Sequence, residues 1–410
     1  MMFTDRGIGL AGGAVAMWLA SRGFGVPELQ IAAVASLGVL VLAVATTRLT
    51  SARLEVDRSI RPGRLFFDAE AHLDLVVHNR SRLPTAHLEL EDEAPPALAS
   101  HGARMLLGSL PPLATRTMSY RLRGHRRGRF VIGPLTARLR DPFGLVSRRI
   151  RLRGTSELLV YPRVWTLPEG VPLGGANSGG LGHTRPLASG EDLAHVREYV
   201  RGDDLRKVHW ASTAHRGKLM VRQPEAPRDP RATVLLDVRE QAHRGRGATS
   251  SLETAISAAA SVIHHLALHG RAVALVDGPF TSAPSVRAWQ AQLAHLAELE
   301  AHRTDLGATL HQLGRDAAGD GLLIAIVAVP DPEELRDLVR AGRGFTTRLA
   351  LLIDTHSHAT QGQRGAGQAE AEALRLAGWR VTVVSGADRL DDRWRDLVLP
   401  AGRMASAVGR

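Results

Sequence analysis

The chain of 410 residues contains no cysteine, and its only two lysines are Lys207 and Lys218. The lack of cysteine excludes disulfides and every thiolate metal site. Nearly all other basic positions are arginine, so the two neighbouring lysines indicate a local constraint on the stretch that contains them. Aromatic residues make up only 4% of the chain, and the arginine-rich part lacks the interleaved aromatics typical of nucleic-acid-binding surfaces. We therefore expect no nucleic-acid partner.

The net charge of +11 comes almost entirely from one segment. Eleven arginines and a single acid, Asp141, lie between Arg121 and Arg153. The arginines alternate with apolar residues, which predicts strands with apolar side chains inward and arginines in water. Contact with anionic lipid is the alternative, because a membrane anchor is predicted close by.

Two uncharged apolar runs, residues 7–21 and 29–47, are separated by the turn "RGFGVPE". The second run is about as long as the roughly 20 residues that a bilayer-spanning helix needs. We predict a transmembrane helical hairpin over residues 1–50; a signal peptide at the first run and a buried soluble hairpin are the alternatives. The positive-inside rule then predicts a two-pass protein of the plasma membrane with both termini and the soluble domains in the cytoplasm. This orientation is predicted from the difference in arginine number: the turn has one, Arg22, and five follow the second run, Arg48, Arg53, Arg58, Arg61 and Arg64.

Three further regions follow the hairpin, so the chain is predicted to be multidomain. Residues 51–165 show short alternating runs between proline and glycine turns, which is typical of an antiparallel β-sandwich-like domain. Residues 166–230 form a linking segment that begins with a glycine-rich loop; the loop has no lysine and so is not a phosphate-binding P-loop. Residues 231–410 alternate apolar strands with amphipathic helices, which predicts a doubly wound α/β domain.

Three strands of this α/β domain are predicted to end in a carboxylate, at Asp237, Asp277 and Asp354. Ligands of open α/β sheets bind beyond the carboxyl ends of the strands, so these acids are weak candidates for a magnesium site. Arg239 and Gln241 stand where two cation-binding hydroxyls would be needed, and an arginine there repels a cation and can take its place. The sequence "DTHSH", residues 354–358, is a second weak candidate. We expect no metal and no cofactor.

The stretch "EYVRGDDLRKVHWASTAHRGKLMV", residues 198–221, concentrates charged and polar side chains. Asp203 is predicted to cap a short helix with Trp210 buried, and Asp203, Arg206 and His209 then share one helical face. The candidate binding or clasp residues of this stretch are Asp203, Asp204, Arg206, His209, Trp210 and Lys218.

This stretch has three interpretations. The first is a polar clasp between the β-rich and α/β domains, fixed by Trp210. The second is a protein-binding surface. The third is a catalytic site with His209 as base and Ser212 or Thr213 as nucleophile, although no glycine-flanked elbow or oxyanion hole accompanies these residues.

Two long motifs resemble one bacterial family. "YVRGDDLRKVHWASTAHRGKLMVRQPE" is similar to the signature of the family catalogued as domain of unknown function 58, and "RRGRFVIGPLTARLRDPFGL" resembles the segment that this family carries ahead of it. The resemblance implies a membrane-anchored protein whose C-terminal domain is similar to von Willebrand factor A domains. It also implies a MoxR-type AAA ATPase and a transglutaminase-like membrane protein as partners, but no biochemical activity.

Two functions follow as expectations. The first is a non-enzymatic scaffold or adaptor that links a membrane process to the ATPase. The alternative is a hydrolase that acts at the cluster from Asp203 to Thr213 or at the strand-end carboxylate cleft. The lack of a complete nucleophile or metal constellation in the sequence favours the scaffold.

Overall fold

The computed structural model describes residues 2–51, 54–85, 87–101, 104–169, 196–200, 208–222, 231–278, 280–316, 321–359, 366–386 and 388–398. The chain divides into two compact units. The first comprises Met1–Val164 with Leu293–Glu300, and the second comprises Trp165–Gln292 with Ala301–Arg410. The protein is therefore multidomain, with an apolar N-terminal helix and two sheet-containing units.

Two helices, α1 (Asp5–Phe24) and α2 (Pro27–Ser51), open the first unit and pack against each other. Thr4 begins α1 by accepting a hydrogen bond from the amide of Gly7, and Gly25 ends it in the left-handed conformation that favours glycine. In the part of the chain that the structure describes, one helical stretch is long and apolar enough to cross a membrane, Pro27–Leu49 within α2. α1 does not meet the same criterion.

The rest of the first unit is rich in strands. In chain order they are β1 (Met2–Phe3), β2 (Leu54–Arg61), β3 (Arg64–Leu65), β4 (Glu70–Asn79), β5 (His87–Asp92), β6 (Leu98–His101), β7 (Arg104–Gly108), β8 (Thr115–Gly124), β9 (Gly128–Ile132), β10 (Leu135–Arg140), β11 (Val146–Leu152) and β12 (Ser156–Val160). Two antiparallel sheets have the orders β1-β11-β10-β5-β7 and β2-β4-β8-β6. A smaller sheet has the order β3-β12-β9. Inward-facing residues of all three sheets share one hydrophobic core, as the sandwich-like prediction requires.

The arginine-rich segment forms strands whose arginines face outward, as the alternation predicts. On β8, Arg121 and Arg123 are exposed while Leu122 between them is buried. Several of these arginines pair with acids on neighbouring strands, for example Arg129 on β9 with Glu157 on β12 at 3.0 Å. Water and acidic neighbours therefore account for much of the charge.

One arginine of this unit is buried. Nη2 of Arg58 lies 2.5 Å from Oδ1 of Asp92, and the hydroxyl of Tyr120 donates to Oδ2 of Asp92 at 2.7 Å. Nη1 of Arg58 also donates to the carbonyls of Ile132 and Gly154. Burial raises the pKa of Asp92, while its hydrogen bond from Tyr120 and the charge of Arg58 act in the opposite direction. Arg58 thus ties three segments of the β-rich unit together.

The remaining elements alternate between strand and helix. They are β13 (Val196–Glu198), α3 (Trp210–Arg216), β14 (Met220–Arg222), β15 (Arg231–Leu236), α4 (Ser251–Leu268), β16 (Ala272–Val276), α5 (Trp289–Glu298), α6 (Leu306–Asp316), β17 (Leu322–Ala328), α7 (Pro332–Gly342), β18 (Thr347–Ile353), α8 (His356–Ala359), α9 (Gln368–Leu376), β19 (Arg380–Val384) and α10 (Leu390–Val398). The alternation of strands and helices predicted after residue 231 is present in the part of this region that the structure describes.

Five strands form a parallel sheet in the order β16-β15-β17-β18-β19, which confirms the doubly wound α/β prediction. β17 is buried along its whole length, as expected for a strand with both faces covered. The strand order reverses at β15, since β16 lies on one side of it and β17 on the other. Such a switch point is where open α/β sheets bind ligands. Isolated antiparallel bridges from Val273 to Ser285 and from Val276 to Thr281 add a short segment beside β16.

Candidate functional site

The segment from Val208 to Arg222 is a helix flanked by strand pairing. Val208 forms an antiparallel bridge with Val221, and the amide of His209 donates to the carbonyl of Met220 at 2.8 Å. α3 then begins at Trp210 and ends at Gly217, whose φ of 67° is left-handed. The chain returns as β14, which pairs with β13.

The helix of this segment begins later than predicted. His209, and not Asp203, is the N-cap: its Nδ1 accepts a hydrogen bond from the amide of Ser212 at 3.2 Å. Val208 is in a β-bridge, so no continuous helix reaches His209. The prediction that His209 shares a helical face with Asp203 and Arg206 is therefore wrong. Asp203, Asp204 and Arg206 themselves lie outside the described residues.

His209 and Ser212 also meet through their side chains. Nδ1 of His209 lies 2.8 Å from Oγ of Ser212, the contact that the catalytic interpretation requires. The same Nδ1 accepts the Ser212 amide, so it is unprotonated and the hydroxyl is the donor. Thr213 has a different role, because its Oγ1 accepts a hydrogen bond from the amide of Met220. The arrangement caps a helix and also places a base beside a hydroxyl.

Trp210 is 70% exposed, and the expectation that it is buried as the anchor of a clasp is wrong. It is the first residue of α3, a seven-residue helix with no buried residue, so its ring has no core to enter. Lys218 is exposed as well, and its Nζ lies 3.0 Å from Oε1 of the equally exposed Glu198. Trp210 and Lys218 therefore lie on the surface, while Val208, Met220 and Val221 of the same stretch are buried.

The strand-end cleft contains a buried ion-pair network. Asp237 follows β15, and its Oδ1 and Oδ2 accept hydrogen bonds from Nε and Nη2 of Arg239, each at 2.9 Å. Nη1 of Arg239 donates to Glu334 in the first turn of α7. Asp237 and Arg239 are both buried. The guanidinium thus lies beside the carboxylate that a metal would need, as Arg239 in the sequence suggested.

The charge of this network is fixed. Burial acts to lower the pKa of Arg239, but hydrogen bonding to Asp237 and the charges of Asp237 and Glu334 outweigh it, and the pKa lies above its usual value. Two carboxylates share one permanent cation, which occupies both oxygens of Asp237 and leaves one formal negative charge in the group. A divalent cation at Asp237 would have to displace the guanidinium.

The other two strand-end acids, Asp277 and Asp354, accept hydrogen bonds from backbone amides of the residues that follow them. Asp277 accepts the amide of Phe280 at 3.1 Å, and Asp354 accepts the amides of His356 and Ser357 as α8 begins. Among the residues that the structure describes, no three acidic or histidine side chains form a group that could hold a metal ion. The sequence "DTHSH" is thus a helix start, with Ser357 Oγ donating to the carbonyl of Asp354.

His243 is a site residue that the sequence argument missed. Its Nε2 donates to the carbonyl of Asp237 at 2.9 Å, and its Nδ1 lies 3.0 Å from Oγ of Ser251 at the start of α4. Burial lowers the pKa of His243, and the positive charge of Arg239 adds to this, while Asp237 opposes it. The ring is therefore held neutral at pH 7. Its position six residues after a strand-end carboxylate was the available signal.

An open depression lies next to His243. It has a volume of about 450 Å³ and is lined by His243, Arg244, Gly245, Arg246 and His358. Four of its five lining residues are basic types; His243, Arg244 and Arg246 come from the loop that follows β15, and His358 comes from α8, which follows β18. The depression therefore lies at the edge of the sheet where the ends of the strands present their loops.

Comparison with known proteins finds relatives for one part of the chain. The sequence model of a family described as "Protein of unknown function DUF58" matches residues 195–359. The "Uncharacterized protein YeaD" of Bacillus subtilis is 26% identical over 163 residues, which span 39% of this chain and 39% of that protein. The matched region includes α3, the strand-end network and the depression.

Solved structures resemble the chain only distantly. A FixG-related protein from Vibrio parahaemolyticus is 11% identical with a TM-score of 0.19, covering 26% of this chain and 95% of that one. The CARDB domain of the PF1109 protein from Pyrococcus furiosus is 14% identical with a TM-score of 0.19, covering 26% and 86%. Likenesses this weak carry no argument about fold or function. The similarity of the chain to this family of unknown function thus lies in residues 195–359.

Proposed function

We propose that the chain is a membrane-anchored, non-enzymatic scaffold or adaptor that acts with a MoxR-type AAA ATPase in a cell-envelope or assembly process. The observation that carries the proposal is the exposed ring of Trp210 within the region that the family model matches. Tryptophan is among the residues most enriched in binding hot spots. The identity of the ATPase rests on the resemblance of the sequence motifs alone, and a transglutaminase-like membrane protein is a further partner on the same basis.

Trp210 has apolar and charged neighbours that suit a docking surface. Val208 and β13 both pair with β14, and the amide of Tyr199 donates to the carbonyl of Leu219 at 2.8 Å. Trp210, Lys218, Leu219 and Val200 therefore lie at the same end of this pairing. Leu219 and Val200 are exposed as well. We name these four residues the Trp210 surface; the pair of Lys218 with Glu198 lies at its margin. An apolar centre with charges at the margin is the usual composition of a protein interface.

The membrane anchor is proposed to be a two-pass hairpin of α1 and α2 with both termini in the cytoplasm. Apolar side chains on several sides of α2, among them Ile31, Val34, Val41 and Leu42, are exposed in the structure. Exposed apolar surface of this extent fits lipid contact better than water. The arginines that follow α2 support the orientation, because arginine-rich flanks stay on the cytoplasmic side. Arg61 and Arg64, which are exposed, can also contact anionic lipid headgroups.

The α/β unit is proposed to be similar to von Willebrand factor A domains. The segment bridged to β16 runs antiparallel to it, and counting this segment as a strand gives the order 3-2-1-4-5-6. That order is a common one for doubly wound sheets, with the switch point beside β15. In place of a metal at the strand ends, the unit has the pair of Asp237 with Arg239. Adhesion through a metal is therefore not part of the proposal.

The proposal is tested by co-purification of the ATPase with full-length protein after crosslinking in native membranes. Trp210→Ala should reduce the ATPase retained by at least about tenfold, because truncation of a hot-spot tryptophan costs about 2 kcal/mol or more. Leu376→Ala is the matched control, since Leu376 is equally exposed on α9 and lies outside the family match. Retention that is the same for both variants, or no retention by wild type, would sink the proposal.

Charge is tested separately. Lys218→Glu should weaken retention at low salt and have less effect at high salt, because exposed charges are screened. Arg303→Glu serves as the control, because Arg303 also forms an exposed pair, with Glu240. Equal effects of the two reversals would show that Lys218 has no specific role.

The contact between His209 and Ser212 favours hydrolysis at this cluster as the alternative function. Both oxygens of Asp237 accept from Arg239, so the strand-end cleft is the weaker of the two predicted hydrolase locations. A hydrolase would label at Ser212 with a fluorophosphonate probe, and Ser212→Ala would abolish the label. Labelling that survives Ser212→Ala, or that is absent from wild type, would exclude Ser212 as the nucleophile.

A further inference from the structure

Two arginines at the depression have no acidic partner in the described part of the chain. Arg244 and Arg246 are exposed and flank Gly245 in the loop between β15 and α4. Only backbone atoms of Arg244 are bonded, its amide donating to Oγ of Ser251 at 2.8 Å and its carbonyl accepting from the same hydroxyl. Most other arginines of this unit that the structure describes on its helices, such as Arg340 and Arg395, pair with an acid. The depression therefore carries two uncompensated positive charges.

The shape of the loop depends on glycine. Gly245 has a φ of +86°, in the left-handed region that other residues avoid. A Cβ there would lie 3.1 Å from Cα of Ser250 and 3.3 Å from the carbonyl oxygen of His358. Glycine thus lets the loop approach both the start of α4 and the loop after β18, so that the two arginines border one concave space.

The histidines form walls of the depression with fixed orientations. Both ring nitrogens of His243 are engaged, and its pKa is lowered by burial. His358 donates from Nδ1 to the carbonyl of Thr249 at 2.7 Å, while its Nε2 is buried and has no hydrogen-bond partner among the described residues. Because Nδ1 is the donor, the lone pair of Nε2 needs a donor as partner, and a hydroxyl group of a bound ester or a water molecule can supply one and recover the cost of burial.

The location adds a third source of positive potential. α4 begins at Ser251 with Ser250 as its N-cap, directly after the loop of the depression. The amino-terminal end of a helix carries a partial positive charge and attracts anions. β15, which leads into the loop, is also the strand at which the sheet order reverses, the usual ligand position in such folds.

We propose that this depression, formed by Arg244, Gly245 and Arg246 with His243 and His358, binds a small molecule that carries a phosphate group. Two adjacent guanidinium groups match the charge and the bidentate geometry of a phosphate dianion better than those of a single carboxylate. The volume of about 450 Å³ exceeds what a lone phosphate fills and lies within the usual range of small-molecule sites. The ligand is therefore a phosphate ester. This site is independent of the adaptor role and of the Trp210 surface.

The test is titration calorimetry of the full-length protein in detergent with inorganic phosphate and with glycerol 3-phosphate, at constant ionic strength. Wild type should bind both in a saturable manner, and the ester more tightly. Arg244→Ala combined with Arg246→Ala should weaken binding by about tenfold for each arginine lost, since hydrogen bonds to charged groups are worth about that factor. Arg303→Ala combined with Arg395→Ala removes the same charge from two other exposed positions and should change binding less than about twofold.

Each outcome decides the matter. No saturable heat from either compound in wild type overturns the proposal. Equal losses in the two double variants also overturn it, because they would show general charge attraction. Equal affinity for phosphate and for the ester would support the anion site but contradict the assignment of the ligand as an ester. The single variants Arg244→Ala and Arg246→Ala, with amide exchange as a check of folding, keep the test decisive if the double variant is unstable.

Discussion

At the scale of single residues, two buried arginines stand out because each holds a buried aspartate. Arg58 and Asp92 lie in the β-rich unit, and Arg239 and Asp237 lie in the α/β unit. A buried pair of this kind contributes little net stability when intact, yet removing one partner leaves a charge in a medium that solvates it poorly. Both arginines are therefore positions at which truncation should be far more harmful than at the surface.

Arg239→Ala should destabilise the α/β unit by about 3–5 kcal/mol, because Asp237 and Glu334 lose their common partner. Hydrogen exchange measured by mass spectrometry on the full-length protein can assign the loss to peptides from β15 and β17. Arg303→Ala is the control, since it breaks only an exposed pair and should cost less than about 1 kcal/mol. Unchanged exchange in β15 for Arg239→Ala would contradict the structural role.

The buried histidines predict a loss of stability in acid. Burial lowers the pKa of His243, His264 and His265 from the ordinary value of 6.5. Below that value the unfolded chain binds protons that the folded unit does not, so stability falls as the pH drops through about 6.5. The melting temperature of the full-length protein should decrease between pH 7.5 and pH 5.5, a range chosen to span about one unit on either side of that value.

A variant identifies the source of this pH dependence. His265 contacts Trp394 and His269 and faces the charge of Glu169. His265→Leu should make the melting temperature less dependent on pH, because one titrating group is removed from the core. His125→Gln, at an exposed position of the β-rich unit, should leave the dependence unchanged. A slope that is the same in all three proteins would assign the acid effect to other groups.

At the scale of elements, the α/β strands could be predicted because nonlocal packing and local pattern agree there. "LLIAIVAV" is apolar throughout since both faces of β17 are covered, and α7 begins at the capping box of Asp331 and Glu334, a strong local signal. α3 could not be placed correctly. Asp203 offered a stronger N-cap signal than His209, and nothing local shows that Val208 pairs with Val221.

The residues of the candidate site also divide into those that the local sequence predicts and those that depend on tertiary contacts. Arg239 could be placed against Asp237 from the sequence because the two are only two residues apart at a strand end. The contact of Arg239 with Glu334 could not be predicted, because it joins segments that are far apart in the sequence. The same holds for the position of His358 beside Arg244. The exposure of Trp210 could not be read from a pattern either, since apolar spacing alone does not tell which side of a short helix has a core.

Two tryptophan variants compare an exposed with a buried helix position. Trp210→Ala should change the free energy of unfolding by no more than about 0.5 kcal/mol, because the ring is exposed. Trp394→Ala on α10 should cost about 3–5 kcal/mol, because that ring is fully buried. Urea unfolding of the full-length protein in detergent measures both. A large loss for Trp210→Ala would restore the clasp interpretation.

At the scale of the whole molecule, the N-terminal helices determine where both units act. α2 has the length and apolarity of a membrane span, while α1 ends at a turn that carries Arg22 and leads directly into α2. If both helices cross the membrane, the turn lies outside and everything after α2 lies inside. The proposals for the ATPase and for a phosphate ester both require access to the cytoplasm.

Reporter fusions test this topology. Fusions at Val26 and at Arg410 should report the outside and the inside respectively, because the positive-inside rule places the arginine-rich flank after α2 in the cytoplasm. A fusion at Arg58 should agree with the one at Arg410. An outside signal at Arg410 would remove both the ATPase and the cytoplasmic ligand from consideration.

The exposure of Trp210 also gives the protein an intrinsic optical reporter. Its indole is 70% exposed, whereas Trp18 is 43% exposed, Trp165 and Trp289 are half-buried, and Trp379 and Trp394 are buried. The iodide quenching that Trp210→Phe removes therefore reports this ring. A macromolecule that covers the Trp210 surface would shield this one ring and shift the emission towards the blue. Occupancy of the surface can thus be followed by fluorescence in unlabelled protein. The Trp210→Phe variant is the control that lacks this ring.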